Sequence, residues 1–518
     1  MYDLVLQGGM IVDGTRAKPY TANVCIKDGK IAKITTETAT GATVLDVTGL
    51  AVTPGFIDIH THADLDPIRA KDAPSYLFQG VTTSLIGNCG SSILPALEEN
   101  PSLHQEYCLM KKGGHPGFTS ITDYAETVSQ AQPGGNYAVL VGHSNLRCAV
   151  MGFVNRDPDE QEMEQLKALL ERELQRGAFG MSLGLIYPPS AFCQTEELVE
   201  LAKVIAKYDG ILAVHMRNEG PRLFQAVQEM IDIAKASGVH IEISHLKLMG
   251  TPQWGKAPQL IAMIDEARSQ GLNITCDQYP FPASSTSLNA LAPHWSHDGG
   301  TPALLKRLES REGTICQEIL QEMTNRGGPN AILIVDGVKD HHEYENLTIQ
   351  QISENLGLDP VETVRKVLLD SNGAARGIFF SMNEEDIHYI MKQTYVCVGS
   401  DGSAQRYDSS VNLHPRNYAA FSQYFQTVRE QGIHPIEDMV FKATGLTASI
   451  LGITDRGTLK EGNWADIAVF DPNTFASQST FIKPQMPPVG MHYVIVNGKL
   501  TVNNGAFTDN RAGKVLFK

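Results

Sequence analysis

Eight short apolar segments that recur along the middle of the chain constrain its fold more than any other feature. Continuous apolar runs of this length suit parallel β-strands that are buried on both faces. In chain order the segments are GFIDIH (55–60), VTTSLIG (81–87), YAVLVGH (137–143), AFGMSLG (178–184), ILAVHM (211–216), HIEISH (240–245), NITCDQY (273–279) and YVCVGSD (395–401).

Helical patterns lie between several of these segments, most clearly at 159–177, 195–210 and 226–238. Apolar residues recur there every three to four positions, and each pattern ends at or near a glycine. Eight strands with intervening helices are typical of the α/β class. We therefore predict a (β/α)8 TIM-like barrel as the catalytic domain, over residues 55–454.

Both ends of the chain are rich in β-strand signals instead. Asp28-Gly29 and Asn497-Gly498 each stand between two apolar runs, as in a tight hairpin. One small β-sandwich domain built from residues 1–54 and 455–518 is the economical interpretation. The seventh and eighth barrel strands are about 115 residues apart, far more than one crossover needs. An insertion subdomain at 286–350 is predicted there, placed to cover the mouth as a lid.

The composition restricts the class of partner. The 518 residues carry a net charge of −16, which argues against binding nucleic acid, since that needs clustered lysine and arginine. We see neither a secretory signal pattern nor an apolar run of the ~18–20 residues that a membrane span needs. The eight cysteines are scattered singly, so reduced thiols and a cytoplasmic location are expected.

Metal-binding side chains stand where several predicted strands end. His60 and His62 are two residues apart and therefore point to the same side of a strand end. His215 and His245 end the fifth and sixth strands, and Asp401 ends the eighth. In a barrel these ends meet at the mouth where catalysis takes place. A lone histidine is usually structural, but this set together predicts a metal centre, for which neutral imidazole suits Zn²⁺.

Cys89 also follows a predicted strand, in the segment TTSLIGNCGS (82–91). A single cysteine in an intracellular protein is usually a small packed hydrophobe. Its position before a loop at the barrel mouth makes a nucleophile or a metal ligand an alternative, and the scattered cysteines disfavour a disulfide. From the residues alone, these interpretations stay open.

These motifs resemble the metal-dependent amidohydrolase superfamily, and within it the N-acyl-D-amino-acid deacylase (D-aminoacylase) branch. The resemblance runs from residue 1 to residue 518. Its superfamily motifs are GFIDIHTHAD, HMRNEG, EISHLK and GSDG, and the motifs similar to the branch are GNCG, GHSNLR (142–147), YPPSAF (187–192), DQYPF (277–281), MNEEDI (382–387) and HPRNY (414–418).

The resemblance implies a ligand set for zinc. Many superfamily members bridge two metals with a carboxylated lysine on the fourth strand, but GMSLGLIYPPS has no lysine. The branch uses a cysteine from the second strand instead, and Cys89 matches that position. By the same resemblance Cys89, His215 and His245 hold one tightly bound Zn²⁺. His60 and His62, with Cys89 and Asp401, would form a second site that is weak or partly occupied.

Asp401 has two interpretations. Ser-Asp-Gly is ordinary turn composition. Because Asp401 follows the eighth strand, opposite the histidines, we favour a catalytic residue that takes a proton from the attacking water and passes it to the leaving nitrogen.

Four further residues match positions that bind the substrate carboxylate in the family: Lys247, Tyr279, Ser285 and Arg416. The cations suit a carboxylate, and Tyr279 and Ser285 offer neutral hydrogen bonds. A solvated surface charge is the alternative for Lys247 and Arg416. Residues Arg217 and Glu219 follow a ligand and are expected to support it. His143 either touches the site or braces a loop, and the sequence does not decide between these roles.

The expected activity is zinc-dependent hydrolysis of N-acyl-D-amino acids to a carboxylate and a free D-amino acid, by a monomer or small homo-oligomer. The preference for the D hand comes from the resemblance alone. The nearest alternatives are a cyclic amidase of the dihydropyrimidinase or hydantoinase type and an isoaspartyl dipeptidase-like hydrolase. Those relatives use the fourth-strand lysine as a metal ligand, and this chain has no lysine there. A non-catalytic assembly protein is a remote alternative, because such proteins usually lose metal ligands.

Overall fold

A computed structural model describes residues 1–96, 117–409 and 411–518. Cys108, one of the eight cysteines, lies outside these residues, and the seven that are described are free thiols. Within the described part of the chain, no helix is both long and apolar enough to cross a membrane.

Eight parallel strand positions form the predicted barrel. One sheet runs in the order β17-β13-β12-β11-β10-β9 and another in the order β6-β7-β8. β8 and β9 are consecutive parts of the third strand, and a parallel bridge between Thr61 and Gly402 brings the eighth strand beside the first. The barrel strands are β6 (Phe56–Asp58), β7 (Val81–Ile86), β8 (Asn136–Val139), β9 (Val141–Gly142), β10 (Gly180–Gly184), β11 (Ile211–His215), β12 (His240–Ile243), β13 (Ile274–Gln278) and β17 (Val396–Val398). The predicted barrel is therefore confirmed.

Helices cover the outside of the barrel, and their caps and apolar stripes are visible in the sequence. In α5 (Glu160–Gln175), a capping box between Asp159 and Glu162 closes the first turn, and Leu166, Leu170 and Leu174 recur every four residues on the buried side. The other helices outside the insertion are α1 (Asp66–Arg69), α2 (Pro74–Leu77), α3 (Ile121–Ala131), α4 (His143–Val150), α6 (Thr195–Ala206), α7 (Leu223–Ser237), α8 (Ala257–Ser269), α13 (Glu384–Met391), α14 (Arg416–Glu430), α15 (Ile436–Ala443) and α16 (Gly445–Leu451).

The two ends of the chain meet in one nine-stranded sheet, as expected for a terminal β domain. β5 of the N-terminal part pairs antiparallel with β18 of the C-terminal part, and Val52 and Ile467 lie in a shared core. The strands of this sheet are β1 (Tyr2–Ile11), β2 (Tyr20–Lys27), β3 (Lys30–Thr35), β4 (Gly41–Asp46), β5 (Ala51–Pro54), β18 (Ile467–Phe470), β19 (Met491–Val496), β20 (Lys499–Asn503) and β21 (Ala506–Phe507). The bounds 1–54 and 455–518 remain a prediction.

An insertion with its own apolar core separates β13 from β17. Its three strands follow the order β14-β16-β15, and Leu304, Ile319 and Phe379 belong to one buried cluster. The elements are β14 (Ser284–Ser287), α9 (Gly300–Ser310), α10 (Ile315–Asn325), β15 (Ile332–Asp336), α11 (Ile349–Leu356), α12 (Pro360–Asp370) and β16 (Arg376–Phe379). Because β16 pairs with both other strands, we propose bounds of 284–379 in place of the expected 286–350.

Candidate metal centre

Five side chains from separate strand ends meet at the mouth of the barrel. His60 follows β6, Cys89 follows β7, His215 ends β11, His245 follows β12, and Asp401 follows β17. All five residues are buried. The carboxyl ends of parallel barrel strands share one face, so side chains that are distant in sequence come together there.

Cys89 lies at the centre of this group. Its Sγ is 3.3 Å from His60 Nε2, 3.6 Å from His245 Nε2 and 3.7 Å from His215 Nδ1. Cys89, His245 and Asp401 all adopt a left-handed backbone, with φ of 53°, 39° and 51°. For a residue other than glycine, this backbone conformation costs about 1–3 kcal/mol. Residues that adopt it are concentrated at functional sites. These three strained turns orient the side chains of Cys89, His245 and Asp401 toward the same point.

The surroundings of Cys89 favour its thiolate. Burial raises the pKa of the Cys89 thiol, but the charge of His60 and hydrogen bonds from His215, His245 and His60 outweigh burial. The pKa of Cys89 therefore lies well below its ordinary value. The thiolate is the form that binds metal ions.

Two carboxylates orient the histidine rings from behind. Asp277 Oδ2 is 3.0 Å from Nδ1 of His60, and Glu219 Oε1 is 3.1 Å from Nδ1 of His245. Each contact leaves Nε2 facing Cys89. Asp277 thereby fixes the tautomer of His60, whereas Nδ1 of His245 also has Lys247 Nζ at 2.7 Å. Sequence reasoning expected support from Glu219 but did not single out Asp277. The signal was there: Asp277 is a carboxylate in a buried barrel strand, immediately before the loop.

Asp401 joins the histidines to a cation. One carboxylate oxygen is 3.0 Å from His62 Nε2 and 3.6 Å from His60 Nε2, and the other is 2.6 Å from Arg416 Nη1. Burial raises the pKa of Asp401, but Arg416 and the hydrogen bond with His62 hold it well below its usual range. Asp401 is therefore an ionised carboxylate, able to accept a proton.

The four predicted carboxylate-binding residues, Lys247, Tyr279, Ser285 and Arg416, line a single cavity of roughly 530 Å³ together with the metal-binding groups. Lys247 Nζ donates to Glu219 Oε1 at 2.5 Å, and Arg416 Nη2 donates to the Ser285 carbonyl at 3.0 Å. Arg416 lies 5.2 Å from the Tyr279 ring centre. Within the described chain, the buried Tyr279 hydroxyl has no hydrogen-bond partner. A polar group in that state awaits a ligand or water.

Tyr187, which sequence reasoning missed, closes one side of the centre. Its ring centre is 5.0 Å from that of His215, and its hydroxyl is 2.8 Å from the hydroxyl of Thr286 in β14. This contact ties the loop after β10 to the insertion. Tyr187 belongs to the motif YPPSAF, so a signal existed, but the pairing with Thr286 depends on how the insertion folds.

His143 braces a loop and lies outside the metal-binding group. Nδ1 is 2.9 Å from Ser190 Oγ, Nε2 is 2.7 Å from Glu197, and Arg147 donates to the same carboxylate at 2.5 Å. Ser190 belongs to the loop that carries Tyr187. Arg217 also points away from the centre, because its guanidinium pairs with Glu229 at 3.0 Å.

Glu197→Ala should destabilise the fold by about 3–5 kcal/mol, because it leaves the Arg147 charge buried without its partner. The neighbouring Glu196 is exposed in the same first turn of α6, so Glu196→Ala should cost at most about 1 kcal/mol. Denaturant unfolding of the two variants checks the difference. Equal losses would contradict a role for the buried pair.

The donor atoms at the centre suit zinc. Among the described residues, three groups have ligand atoms within 4.8 Å of one another, and two of them lie at this centre: His60, Cys89, His245 and Asp401, and His215, Glu219 and His245. A thiolate, imidazole nitrogens and a carboxylate are the ligands that Zn²⁺ takes in proteins. Nε2 of His215 is buried without a hydrogen-bond partner among the described residues, as expected for an atom reserved for a metal. His245 belongs to both groups, so two metal positions would be neighbours.

Comparison with known proteins gives a consistent result. The sequence profile of the Amidohydrolase family matches residues 375–502. D-aminoacylase from Alcaligenes xylosoxydans xylosoxydans is 33% identical over 100% of this chain and 98% of its own length. N-acyl-D-glutamate deacylase from the same organism is 31% identical over 99% and 96%. The solved N-acyl-D-glutamate deacylase of Bordetella bronchiseptica, complexed with zinc and a phosphonate mimic of the tetrahedral intermediate, is 32% identical. It superposes with a TM-score of 0.84, covering 100% of both chains.

Proposed function

Since the chain belongs to the D-aminoacylase family of metal-dependent amidohydrolases, we propose that it hydrolyses N-acyl-D-amino acids with zinc as its cofactor. The products are a carboxylate and a free D-amino acid. The chain and these relatives match over nearly their full lengths, so the proposal concerns the whole protein.

The position of Cys89 is the observation that carries the proposal. The fourth barrel strand, β10, reads GMSLG and offers no lysine to bridge two metals. Cys89 instead brings a thiolate within 3.7 Å of three imidazole rings. A cyclic amidase that depends on the fourth-strand lysine lacks its key ligand here, whereas a deacylase with a cysteine ligand has all of its metal-binding residues.

The proposed ligands draw on both groups of donor atoms and add the contact of Cys89 with His215 and that of His62 with Asp401. Cys89, His215 and His245 hold the tightly bound zinc. A second, weak or partly occupied position uses His60 and His62, with Cys89 and Asp401. A bound zinc ion supplies Lewis acidity to the amide carbonyl and lowers the pKa of water. Glu219 and Asp277 keep the rings of His245 and His60 in the required orientation.

Asp401 moves the proton in the proposed mechanism. Its carboxylate accepts a proton from the water that attacks the amide carbon, and it delivers this proton to the nitrogen as the carbon–nitrogen bond breaks. The group starts as an ionised base, since Arg416 and His62 hold the pKa of Asp401 low. Arg416 also fixes the carboxylate in place through a contact of 2.6 Å.

The substrate α-carboxylate binds in the same cavity, next to the pair of Asp401 and Arg416. Arg416 and Lys247 supply positive charge, and the Tyr279 hydroxyl and Ser285 supply neutral hydrogen bonds. The free Tyr279 hydroxyl supports this assignment, because burial without a partner is costly until a ligand arrives. Such a clamp recognises a linear N-acyl amino acid, whose carboxylate a cyclic amide lacks.

The domain bounds, the cytoplasmic location and a monomeric or small homo-oligomeric state belong to the same proposal. The scattered free thiols support a reducing compartment. A net charge of −16 fits a small-molecule enzyme better than a protein that binds nucleic acid.

A hydrolysis screen over N-acetyl-D- and N-acetyl-L-amino acids, with zinc measured in the same sample, tests the function. We expect turnover of D-substrates by a protein that holds at least one zinc per chain. Hydantoin and dihydrouracil serve as comparison substrates. Activity on the cyclic amides or on L-substrates alone would overturn the proposal.

A further inference from the structure

The insertion presents one face of its small sheet to the substrate cavity. Arg376 in the central strand β16 stands opposite Ser287 of β14 on one side and opposite Asp336 of β15 on the other. Residues directly opposite one another in antiparallel strands project from the same face of the sheet. All three residues line the cavity that contains the metal-binding group. Arg376 therefore belongs to the cavity wall that the insertion builds.

Arg376 differs from Lys247 and Arg416 of this cavity in having no side-chain partner among the described residues. Lys247 pairs with Glu219 at 2.5 Å, and Arg416 pairs with Asp401 at 2.6 Å. Arg376 forms neither an ion pair nor a side-chain hydrogen bond within the ranges 1–96, 117–409 and 411–518, and its surface is exposed to the cavity. Its five N–H donors are free for a ligand.

The electrostatic surroundings make this position receptive to an anion. Burial among the cavity walls lowers the pKa of Arg376, and the positive charge of Arg416 lowers it further. A guanidinium nevertheless stays protonated in proteins, so the cavity wall carries a positive charge at this position. Asp336 flanks Arg376 on the β15 side only. On the β14 side, the neighbour is the neutral Ser287, which leaves that side open to a negative group.

We propose that Arg376 is a specificity-determining residue that binds a second carboxylate of the substrate, in the same cavity as the α-carboxylate clamp. This inference rests on the proposed deacylase function and adds the substrate class: N-acyl-D-amino acids with two carboxylates. The second carboxylate belongs either to an acidic side chain, as in D-glutamate or D-aspartate, or to a dicarboxylic acyl group such as succinyl. A planar guanidinium binds either one through two parallel hydrogen bonds.

The test compares substrates of equal shape and different charge. For the wild-type protein we expect kcat/KM for N-acetyl-D-glutamate to exceed that for N-acetyl-D-glutamine by about 10–100-fold, the range of hydrogen bonds to a charged group. The ratio of kcat/KM for N-succinyl-D-methionine to that for N-butyryl-D-methionine measures the corresponding preference for a charged acyl group. A preference in either pair supports the proposal and identifies the source of the carboxylate.

Variants of Arg376 test whether this residue causes the preference for charged substrates. Arg376→Gln should reduce the charge preference to about 3-fold or less, and Arg376→Lys should restore part of it. Arg311→Gln is the matched control, because Arg311 is an exposed arginine of the insertion that pairs with Glu362. It should keep the wild-type preference. The affinities for the products D-glutamate and D-glutamine, measured by calorimetry, provide a comparison that does not depend on turnover.

The outcomes separate the two proposals. If the wild-type protein hydrolyses no N-acyl-D-amino acid, the proposed function itself fails. If it hydrolyses neutral and charged members of both pairs equally well, the function stands and the role of Arg376 is wrong, with no need of a variant. A preference that survives in a folded Arg376→Gln protein also overturns the assignment.

Discussion

Cys89→Ala is expected to lose zinc before it loses anything else. The Sγ atom of Cys89 lies within 3.7 Å of ring nitrogens of His60, His215 and His245. Changes to residues that only support a metal ligand cost about 10–100-fold in affinity, so loss of a ligand should cost at least about 100-fold. Zinc per chain, measured after dialysis against a weak chelator, should fall close to zero. Deacylase activity should fall with it.

Two companion variants distinguish a ligand from a packed hydrophobe. Cys89→Ser preserves most of the side-chain volume but replaces the soft sulfur, and it should also lose zinc. Cys25→Ala removes another fully buried free thiol, in the terminal sheet, and should keep its zinc. Retention of zinc by both Cys89 variants would mean that Cys89 only fills space.

The barrel and the positions of the strand-end side chains were predictable because they depend on local patterns. Each parallel strand is an apolar run of a few residues, and a TIM barrel places all eight carboxyl ends on one face. His60, His215, His245 and Asp401 are therefore brought together by topology alone. The association of the two chain ends in one β domain was expected from hairpin signals at both ends, whereas the order of its nine strands was not predicted. No knowledge of side-chain packing was needed for either step.

The remaining parts of the site depend on contacts between residues far apart in sequence. Arg376 reaches the cavity only because β16 pairs with β14, whose Ser287 is a distant neighbour along the chain. Tyr187 is held by Thr286 of the same insertion. Arg376 follows no barrel strand, and Tyr187 follows β10 but is positioned by its contact with the insertion, whose three-stranded sheet has weak local signals. Long-range pairing of this kind is decided by tertiary packing, which a single sequence does not display.

The pairing of Arg416 with Asp401 links two roles that the sequence assigned to these residues separately. Sequence reasoning treated Arg416 as a substrate clamp and Asp401 as a base, with no link between them. In the folded protein their side chains are 2.6 Å apart. A guanidinium offers five donors, so Arg416 is able to hold Asp401 and a substrate carboxylate at once. In the proposed mechanism, one residue therefore sets both the substrate position and the orientation of the base.

Asp401→Asn should reduce kcat by about 10²–10⁴-fold, the contribution typical of a positioned acid or base. The amide keeps the shape of the side chain but cannot accept the proton of the attacking water. The tightly bound zinc should stay, because Cys89, His215 and His245 are unchanged. Steady-state kinetics with an N-acetyl-D-amino acid, together with zinc content of the same preparation, measures both effects.

Asp408→Asn is the matched control for this change. Asp408 lies seven positions further along the same loop region and is exposed, pairing only with Arg406 at 2.8 Å among the described residues. Its kcat should stay within about 2-fold of wild type, as for a surface ion pair of small energetic value. Full turnover by Asp401→Asn would assign the proton transfer to another group. A kcat loss that merely tracks lost zinc would make Asp401 a ligand instead of a base.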